Sequence, residues 1–399
     1  MARFQKYDTK KGERWMFVIE NGIDPQTGAR QRIVRRGFKK KKDAQDAATE
    51  LEYQLGKRKM NLKNDITFEE MADEWLEIYS ETKVKISTIR VRKHEIGHLN
   101  SYFAKYKIKD ITKRMYQNAL NDLKKNKKLA HNTISGIHST GKMIFKRAME
   151  QDLLLVDPTE YAYIPGDKTT VEEIENTSIE DKYLEKHELN LFLEKAKEFG
   201  KDYYVMFFTL AWTGLRVGEL LALKWKDIDF QERTIIVTKT YYNPTNSTKK
   251  FQLLPPKTKK SIRTIDIEDE VIEVLKKHQL KQKELKLQIG NDYYDEGFVF
   301  GRLNPPYYGY PHFIKTVELR MEKILKHIPS ITKKLTPHSL RHTHTSLLAE
   351  AGVDLLQIME RLGHADEETT TQVYLHITKE RKKEASRKFA ELMRSVKNS

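Results

Sequence analysis

The sequence predicts a multidomain, mainly α-helical protein with small β-sheets, and three observations predict it. Apolar residues recur at helical spacing along most of the 399 residues, strand-like runs are short, and the charge balance changes along the chain. At roughly 150 residues per domain the length accommodates two or three domains, and 38% apolar residues supply several cores. No internal repeat or low-complexity tract is present, so solenoid and fibrous architectures fall.

Residues 1–62 read as an N-terminal three-stranded sheet plus helix. Trp15 to Glu20 and Gln31 to Phe38 are strand-like, and they flank a segment whose Asn-Gly, Asp-Pro and Thr-Gly pairs signal a turn. Ala44, Ala47, Ala48, Leu51 and Leu55 then repeat at helical spacing. Residues 1–64 hold 17 Lys plus Arg against 8 Asp plus Glu, an excess of nine out of the total of 16. Arg30, Arg32, Arg35 and Arg36, on or beside the second strand, suit a β-ribbon entering a nucleic-acid groove. The competing reading is a solvated basic edge strand.

Residues 65–163 are helical in pattern. Thr67 caps an amphipathic helix carrying Phe68, Met71 and Trp75, Ser87 and Thr88 open a second, and further helices run from Lys113 to Leu123 and from Asn132 to Glu150. A bundle of four or five helices is expected, with Arg90, Arg92, Lys93, Lys142, Lys146 and Arg147 as candidate phosphate contacts. Residues 164–181 read as a linker, because Pro165 and Gly166 precede a stretch of five acids and no base. Residues 182–399 form an α-rich domain: helical patterns at Lys186 to Phe199, Tyr203 to Thr213 and Val217 to Ala222 precede strands at Thr234 to Tyr241 and Ser261 to Ile267. These give one small sheet, and helices follow.

The absence of cysteine excludes a disulfide framework, a thiolate zinc site and a cysteine nucleophile. The start of the chain is polar, and the longest apolar run, Tyr203 to Trp212, is half a membrane span. A cytoplasmic protein with no membrane partner is expected. A formal charge of +16 favours a polyanionic partner, because each phosphate neutralised by Lys or Arg releases condensed counterions.

Four segments of the last domain carry polar groups that an amphipathic fold does not require. Arg216 lies in Thr213-Gly214-Leu215-Arg216-Val217-Gly218-Glu219, directly after the most apolar run, with Glu219 at i+3 as its partner. Lys257, Lys259 and Lys260 share a basic turn between two strands, where a lysine can reach a phosphate. In Pro337-His338-Ser339-Leu340-Arg341-His342, the i, i+3 spacing puts His338 and Arg341 on one helix face, while His342 points elsewhere and the His342/His344 pair suits zinc poorly. In Arg361-Leu362-Gly363-His364, Gly363 stops the helix Asp354 to Leu362 and exposes His364 at the break, and a new helix capped near Asp366 bears Tyr374. Each has a bland reading alone: a surface arginine, a solvated turn, a packing tyrosine. Together, two arginines, a lysine, two histidines and a tyrosine are what attack by a phenol on a phosphodiester requires without metal. Arginine forks stabilise the charge gained by the pentacoordinate transition state, a lysine protonates the leaving 5′ oxygen, and a histidine accepts the proton of a phenol whose ordinary pKa is about 10.

These segments, in this order over Tyr183 to Thr378, resemble the motifs of the tyrosine recombinases, or phage-type integrases. The resemblance implies Arg216 and Arg341 as the arginine pair, Lys257 as general acid, His338 and His364 as the histidines, Tyr374 as nucleophile, and Glu219 as the acidic group orienting Arg216. It implies an α-rich tyrosine recombinase catalytic domain (182–399) with a C-terminal tail helix that packs on a neighbouring catalytic domain, the competing reading being that the tail packs back onto its own domain. It further implies a helical core-site DNA-binding domain (65–163) and an arm-type DNA-binding domain (1–62), as in integrases of temperate phages and integrative conjugative elements of Gram-positive bacteria. The implied function is integration and excision of a mobile element through a 3′-phosphotyrosyl intermediate, with no metal, ATP or other cofactor. The partners would be double-stranded DNA at core and arm sites, a homotetramer on synapsed DNA, an excisionase and a host DNA-bending protein, in the bacterial cytoplasm at the nucleoid. A type IB topoisomerase shares the chemistry but reseals the same strand, and a noncatalytic DNA-binding regulator shares the basic surfaces. A metal-dependent nuclease is remote, since Asp227 and Asp229, the tempting carboxylate pair, mark the turn after Trp225.

Overall fold

The computed structural model describes residues 2–9, 12–23, 30–60, 65–166, 179–256, 258–363, 368–377 and 394. The chain divides into two compact units, Met1–Lys168 and Thr169–Ser399.

The first unit opens with a three-stranded antiparallel sheet in the order β1 (Arg3–Thr9), β2 (Gly12–Ile23), β3 (Arg30–Phe38), followed by α1 (Lys41–Met60). Phe17 and Ile19 of β2 are buried with Ala44 and Ala48 of α1, which fixes the covered face of the sheet. Strand alternation then sorts the arginines. Arg36 pairs with Met16 and Arg32 with Glu20, on the face away from the helix, while Arg35 pairs with Phe17 and falls in phase with the covered side. The four arginines expected to act together therefore do not form one row.

Four helices follow: α2 (Phe68–Glu81), α3 (Ile86–Phe103), α4 (Lys113–Lys125) and α5 (His131–Glu150). Thr67 and Glu70 close a reciprocal capping box on α2, as Thr67 predicted. In α3 the cap position is Lys85 with no side-chain cap, so Ser87 and Thr88 lie inside the first turn. Phe68, Met71, Leu99, Phe103, Tyr116, Leu120, Ile144 and Phe145 form the core. Arg92 departs from its expected phosphate role: its Nη1 turns inward to Glu95 at 2.8 Å and Thr140 at 2.9 Å. Arg147 pairs with Glu150 at 3.5 Å, while Arg90, Lys93, Lys142 and Lys146 stay exposed.

The second unit contains α6 (Lys186–Phe199), α7 (Lys201–Thr213), α8 (Val217–Ala222), α9 (Asp269–Ile289), α10 (Ile314–Leu325), α11 (Ser339–Ala351), α12 (Leu355–Leu362) and α13 (Glu368–Ile377). Its core joins Phe192, Phe207, Leu220, Leu275, Met321 and Leu340. The expected strand Thr234 to Tyr241 is two strands in two sheets. β5 (Thr234–Val237) lies between β4 (Ile228–Asp229) and β8 (Arg263–Asp266), whereas β6 (Thr240–Tyr242) pairs with β7 (Gln252–Leu254) in a separate sheet. The chain leaves the first ladder where Lys239 is drawn to Asp227 at 2.5 Å. Asp227 also accepts the Lys224 N–H, and Asp229 accepts the N–H groups of Gln231 and Glu232, so both carboxylates are occupied in shaping this turn. Among the described residues no helix is long and apolar enough to cross a membrane.

Candidate active site

Arg216 is delivered by the break between α7 and α8. Gly214 ends α7 in the left-handed conformation, φ 64°, and Arg216 is the N-cap residue of α8. A side chain at Gly214 would sit 2.6 Å from Leu362 Cδ2 and 2.7 Å from His344 Cδ2, so α11 and α12 both close on this corner. Arg216 Nη1 donates to Glu219 Oε1 at 3.0 Å, and Glu219 Oε2 accepts the Arg216 backbone N–H at 3.0 Å. The i+3 partnership is present, yet Glu219 is shared: Arg263 donates its Nη2 to Oε2 at 3.0 Å, and these two side chains are only 6% and 4% exposed. Burial pushes the Glu219 carboxyl up, but Arg263 and then Arg216 outweigh it and hold it below the ordinary carboxylate range.

Arg341 is 1% exposed and heads the largest fully buried side chains. Its Nη1 donates to the Gly214 carbonyl at 2.6 Å and its Nη2 to the Leu362 carbonyl at 2.6 Å. Both acceptors lie at helix C-termini, those of α7 and α12, where carbonyls lack intrahelical partners and the helix dipole favours a cation. Carbonyl oxygens carry no net charge, so these two bonds aim the guanidinium without cancelling it.

His338 precedes α11 on the same face as Arg341. Burial, then the charges of Arg341 and Arg216, hold its pKa below the ordinary histidine value, with Glu219 opposing. Arg216, His338 and Arg341 are thus electrostatically one group. His342, expected to point elsewhere, instead packs edge-on against His338 with ring centroids 4.8 Å apart, because residues four apart on a helix are neighbours. Burial first and then His338 and Arg341 push it down to about 4.

Tyr374 is half-buried on α13, and its ring packs against the cluster of Ala349, Ile358 and Leu362. The helix carrying Tyr374 packs along α11, the helix of Arg341, and Tyr374 joins the cluster that includes Leu362, whose carbonyl Arg341 holds. Lys257 and His364 lie outside the described residues, as do the expected cap near Asp366 and, apart from Arg394, the tail from 378 onward. Their neighbours do meet: a Cβ on Gly363 would lie 3.1 Å from the Lys260 carbonyl and 3.1 Å from Ser261 Cα, so the corner before His364 abuts the turn after Lys257.

Sequence reading missed three polar residues of this region. Arg263 donates Nε to the Arg361 carbonyl at 2.8 Å as well as reaching Glu219. Arg361 donates Nε to His344 Nε2 at 3.1 Å and Nη2 to the Asp266 carbonyl at 3.0 Å. His344 turns Nδ1 to the Ala211 carbonyl at 2.9 Å. The available signal was phase: Arg263 lies two residues before buried Ile265 and so on the same face of β8, and His344 sits three residues after Arg341. A groove of 1310 Å³ runs beside these groups, with Trp212, Ile262, Leu348 and Leu356 in its walls.

Comparison with known proteins gives three family matches: the phage integrase family over residues 182–381, an arm DNA-binding domain over 4–55, and a phage integrase N-terminal SAM-like domain over 67–124. The integrase of Staphylococcus phage L54a is 30% identical over 84% of this chain and 98% of its own length. The ICEBs1 integrase of Bacillus subtilis strain 168 is 27% identical, covering 96% of this chain and 99% of that one. Among solved structures, a lambda integrase dimer bound to a COC′ core site superposes with a TM-score of 0.59 at 18% identity, over 92% of this chain and 94% of that one. The Tn1549 transposon integrase in complex with a circular intermediate DNA gives 0.60 at 20% identity, over 78% and 95%. At these identities the structural likeness establishes the fold.

Proposed function

The chain belongs to the phage integrase family, and on that premise we propose how its residues break and rejoin DNA. It is a tyrosine site-specific recombinase that integrates and excises a mobile element. In the proposed reaction the Tyr374 oxygen attacks the scissile phosphorus, the bond from phosphorus to the 5′ oxygen breaks, and a 3′-phosphotyrosyl link conserves the bond energy for rejoining. Arg216 and Arg341 hold the nonbridging oxygens, where charge accumulates. Lys257 protonates the leaving 5′ oxygen. His338, kept neutral by burial and by both arginines, is suited to accept the phenol proton, and His364 holds a phosphate oxygen.

The observation that carries this reading is the grouping of Arg216, His338 and Arg341 on helix ends, with the helix of Tyr374 packed along that of Arg341. The test is a nicked suicide duplex that traps the covalent species. The native chain is expected to form a protein–DNA adduct, and Tyr374→Phe to bind the same duplex and form none. An adduct surviving in Tyr374→Phe overturns the assignment.

The arm-type domain is assigned to residues 1–62 and the core-site domain to 65–163, joined through 164–181 to the catalytic domain at 182–399. Arg32 and Arg36, on the face away from α1, are the arginines suited to a DNA groove. Two duplexes with four strands to exchange call for four subunits, and a related structure is a lambda integrase tetramer bound to a Holliday junction. An excisionase and a host DNA-bending protein complete the proposed assembly at the bacterial nucleoid.

A further inference from the structure

We infer that His344 and Arg361 form a positioning pair that locks the C-terminal turn of α12 onto α11 and so holds the Leu362 carbonyl under Arg341 and the Gly363 corner in place. The inference rests on the active-site reading above, and neither residue belongs to the six predicted there.

The two neighbours of His344 dictate its protonation. The Ala211 carbonyl can only accept, so Nδ1 carries the proton; an arginine Nε–H can only donate, so Nε2 is the bare acceptor. One species alone, the neutral imidazole protonated on Nδ1, satisfies both at 2.9 Å and 3.1 Å. His344 is 6% exposed, and burial followed by the charges of Arg361 and Arg341 pushes it down to about 3, in agreement with that geometry.

Arg361 is braced in three directions. Its Nε reaches α11 through His344, its Nη2 reaches the β8 carbonyl of Asp266 at 3.0 Å, and its own carbonyl accepts from Arg263 at 2.8 Å. The next carbonyl, that of Leu362, is the one Arg341 holds at 2.6 Å. Gly363 then turns the chain at φ 68°, where a Cβ would lie 2.9 Å from Arg263 Cδ. Fixing residue 361 therefore fixes, one and two residues later, the acceptor of a proposed catalytic arginine and the corner before His364. A neutral acceptor is the right partner here: a carboxylate at 344 would hold Arg361 equally well but would subtract charge from the site that binds phosphate.

The experiment measures single-turnover adduct formation on the suicide duplex, DNA affinity, and hydrogen exchange at residues 360–363, all in the full-length chain. His344→Asn keeps a donor for Ala211 but removes the acceptor for Arg361, whereas His344→Gln places an amide oxygen where Nε2 stood. His344→Asn is expected to slow adduct formation about 10- to 100-fold with DNA affinity within about twofold, and His344→Gln to recover most of the rate. Arg361→Met should slow the step to a similar degree, and Arg361→Met with His344→Asn should be no slower than the worse single variant. Equal rates for the Asn and Gln variants, or additive losses in the double variant, overturn the pair. If the native chain forms no adduct, the reaction assignment fails by itself, and exchange still decides the pair. Faster exchange at 360–363 in His344→Asn but not His344→Gln supports it; identical exchange in both rejects it.

Discussion

The helical bundle and the catalytic unit each turn an arginine inward, half-buried in the first and fully buried in the second, and they hold it differently. In the bundle, Arg92 meets Glu95 at 2.8 Å, and Thr140 donates to the same carboxylate at 2.6 Å. The charge is matched inside the fold, and the triad ties α3 to α5. In the catalytic unit, Arg341 is more deeply buried and is gripped by carbonyl dipoles at two helix ends, with neutral histidines nearby. Glu95 answers the charge of Arg92 within the bundle itself. The two carbonyl oxygens that aim Arg341 carry no net charge of their own.

If that contrast is right, acid should damage the catalytic unit first. His312 and His344 are pushed down to about 3 and His342 to about 4, in each case by burial first. Their folded values lie below the unfolded value of about 6.5, so the folded state binds fewer protons between the two. The stability they contribute is present above about pH 6.5 and is lost as pH falls toward the folded values, by about 2 kcal/mol per histidine at pH 5. Hydrogen exchange on the full chain at pH 7.5 and 5 should show protection lost in residues 182–377 ahead of the bundle; simultaneous loss breaks the comparison.

Next in size is Arg341→Lys. It keeps a charge but cannot span the Gly214 and Leu362 carbonyls with a planar fork. Adduct formation should fall about 10²- to 10³-fold, equivalent to about 3–4 kcal/mol on the barrier. A rate near that of the native chain would show that charge alone suffices there.

In the bundle the corresponding change acts on stability. Arg92→Met strands Glu95, which is 7% exposed, and should destabilise the chain by about 3 kcal/mol in denaturant titration, while DNA cleavage by the folded fraction is unchanged. Adding Glu95→Met should restore most of the loss, because no charge is then left buried. Failure of that rescue would mean that the pair does more than tie two helices.

The smallest effect belongs to Gly136→Ala on α5, whose added Cβ runs into the Glu95 carboxylate. Glu95 must shift within its contacts to Arg92 and Thr140, at a cost of about 1–2 kcal/mol. A melting temperature equal to that of the native chain would show the carboxylate to be loosely held.

Much of this was legible locally. Thr67 before Phe68 marked the start of α2, Gly214 and Gly363 marked two helix ends, and the i+3 spacing of Arg216 with Glu219 foretold the ion pair that the structure contains. Errors came where a residue had more than one possible neighbour. Arg92 resembled a surface cation because only folding brings Thr140, 48 positions away, beside it. His342 was read by its relation to His344 rather than to His338. The strand at 234–241 looked continuous because β propensity does not reveal which partner a strand takes.

By itself the order of residues determined most of the helices and named the candidate groups for the chemistry, because periodicity, caps and i+3 pairs act within a few positions of the chain. Only the tertiary structure decided how those groups are held. Arg263 meets the Arg361 carbonyl across 98 positions, Arg341 meets Gly214 across 127, and His344 meets Ala211 across 133. Contacts at such separations leave no local pattern, since they form where helix ends with unsatisfied carbonyls are packed together and need donors.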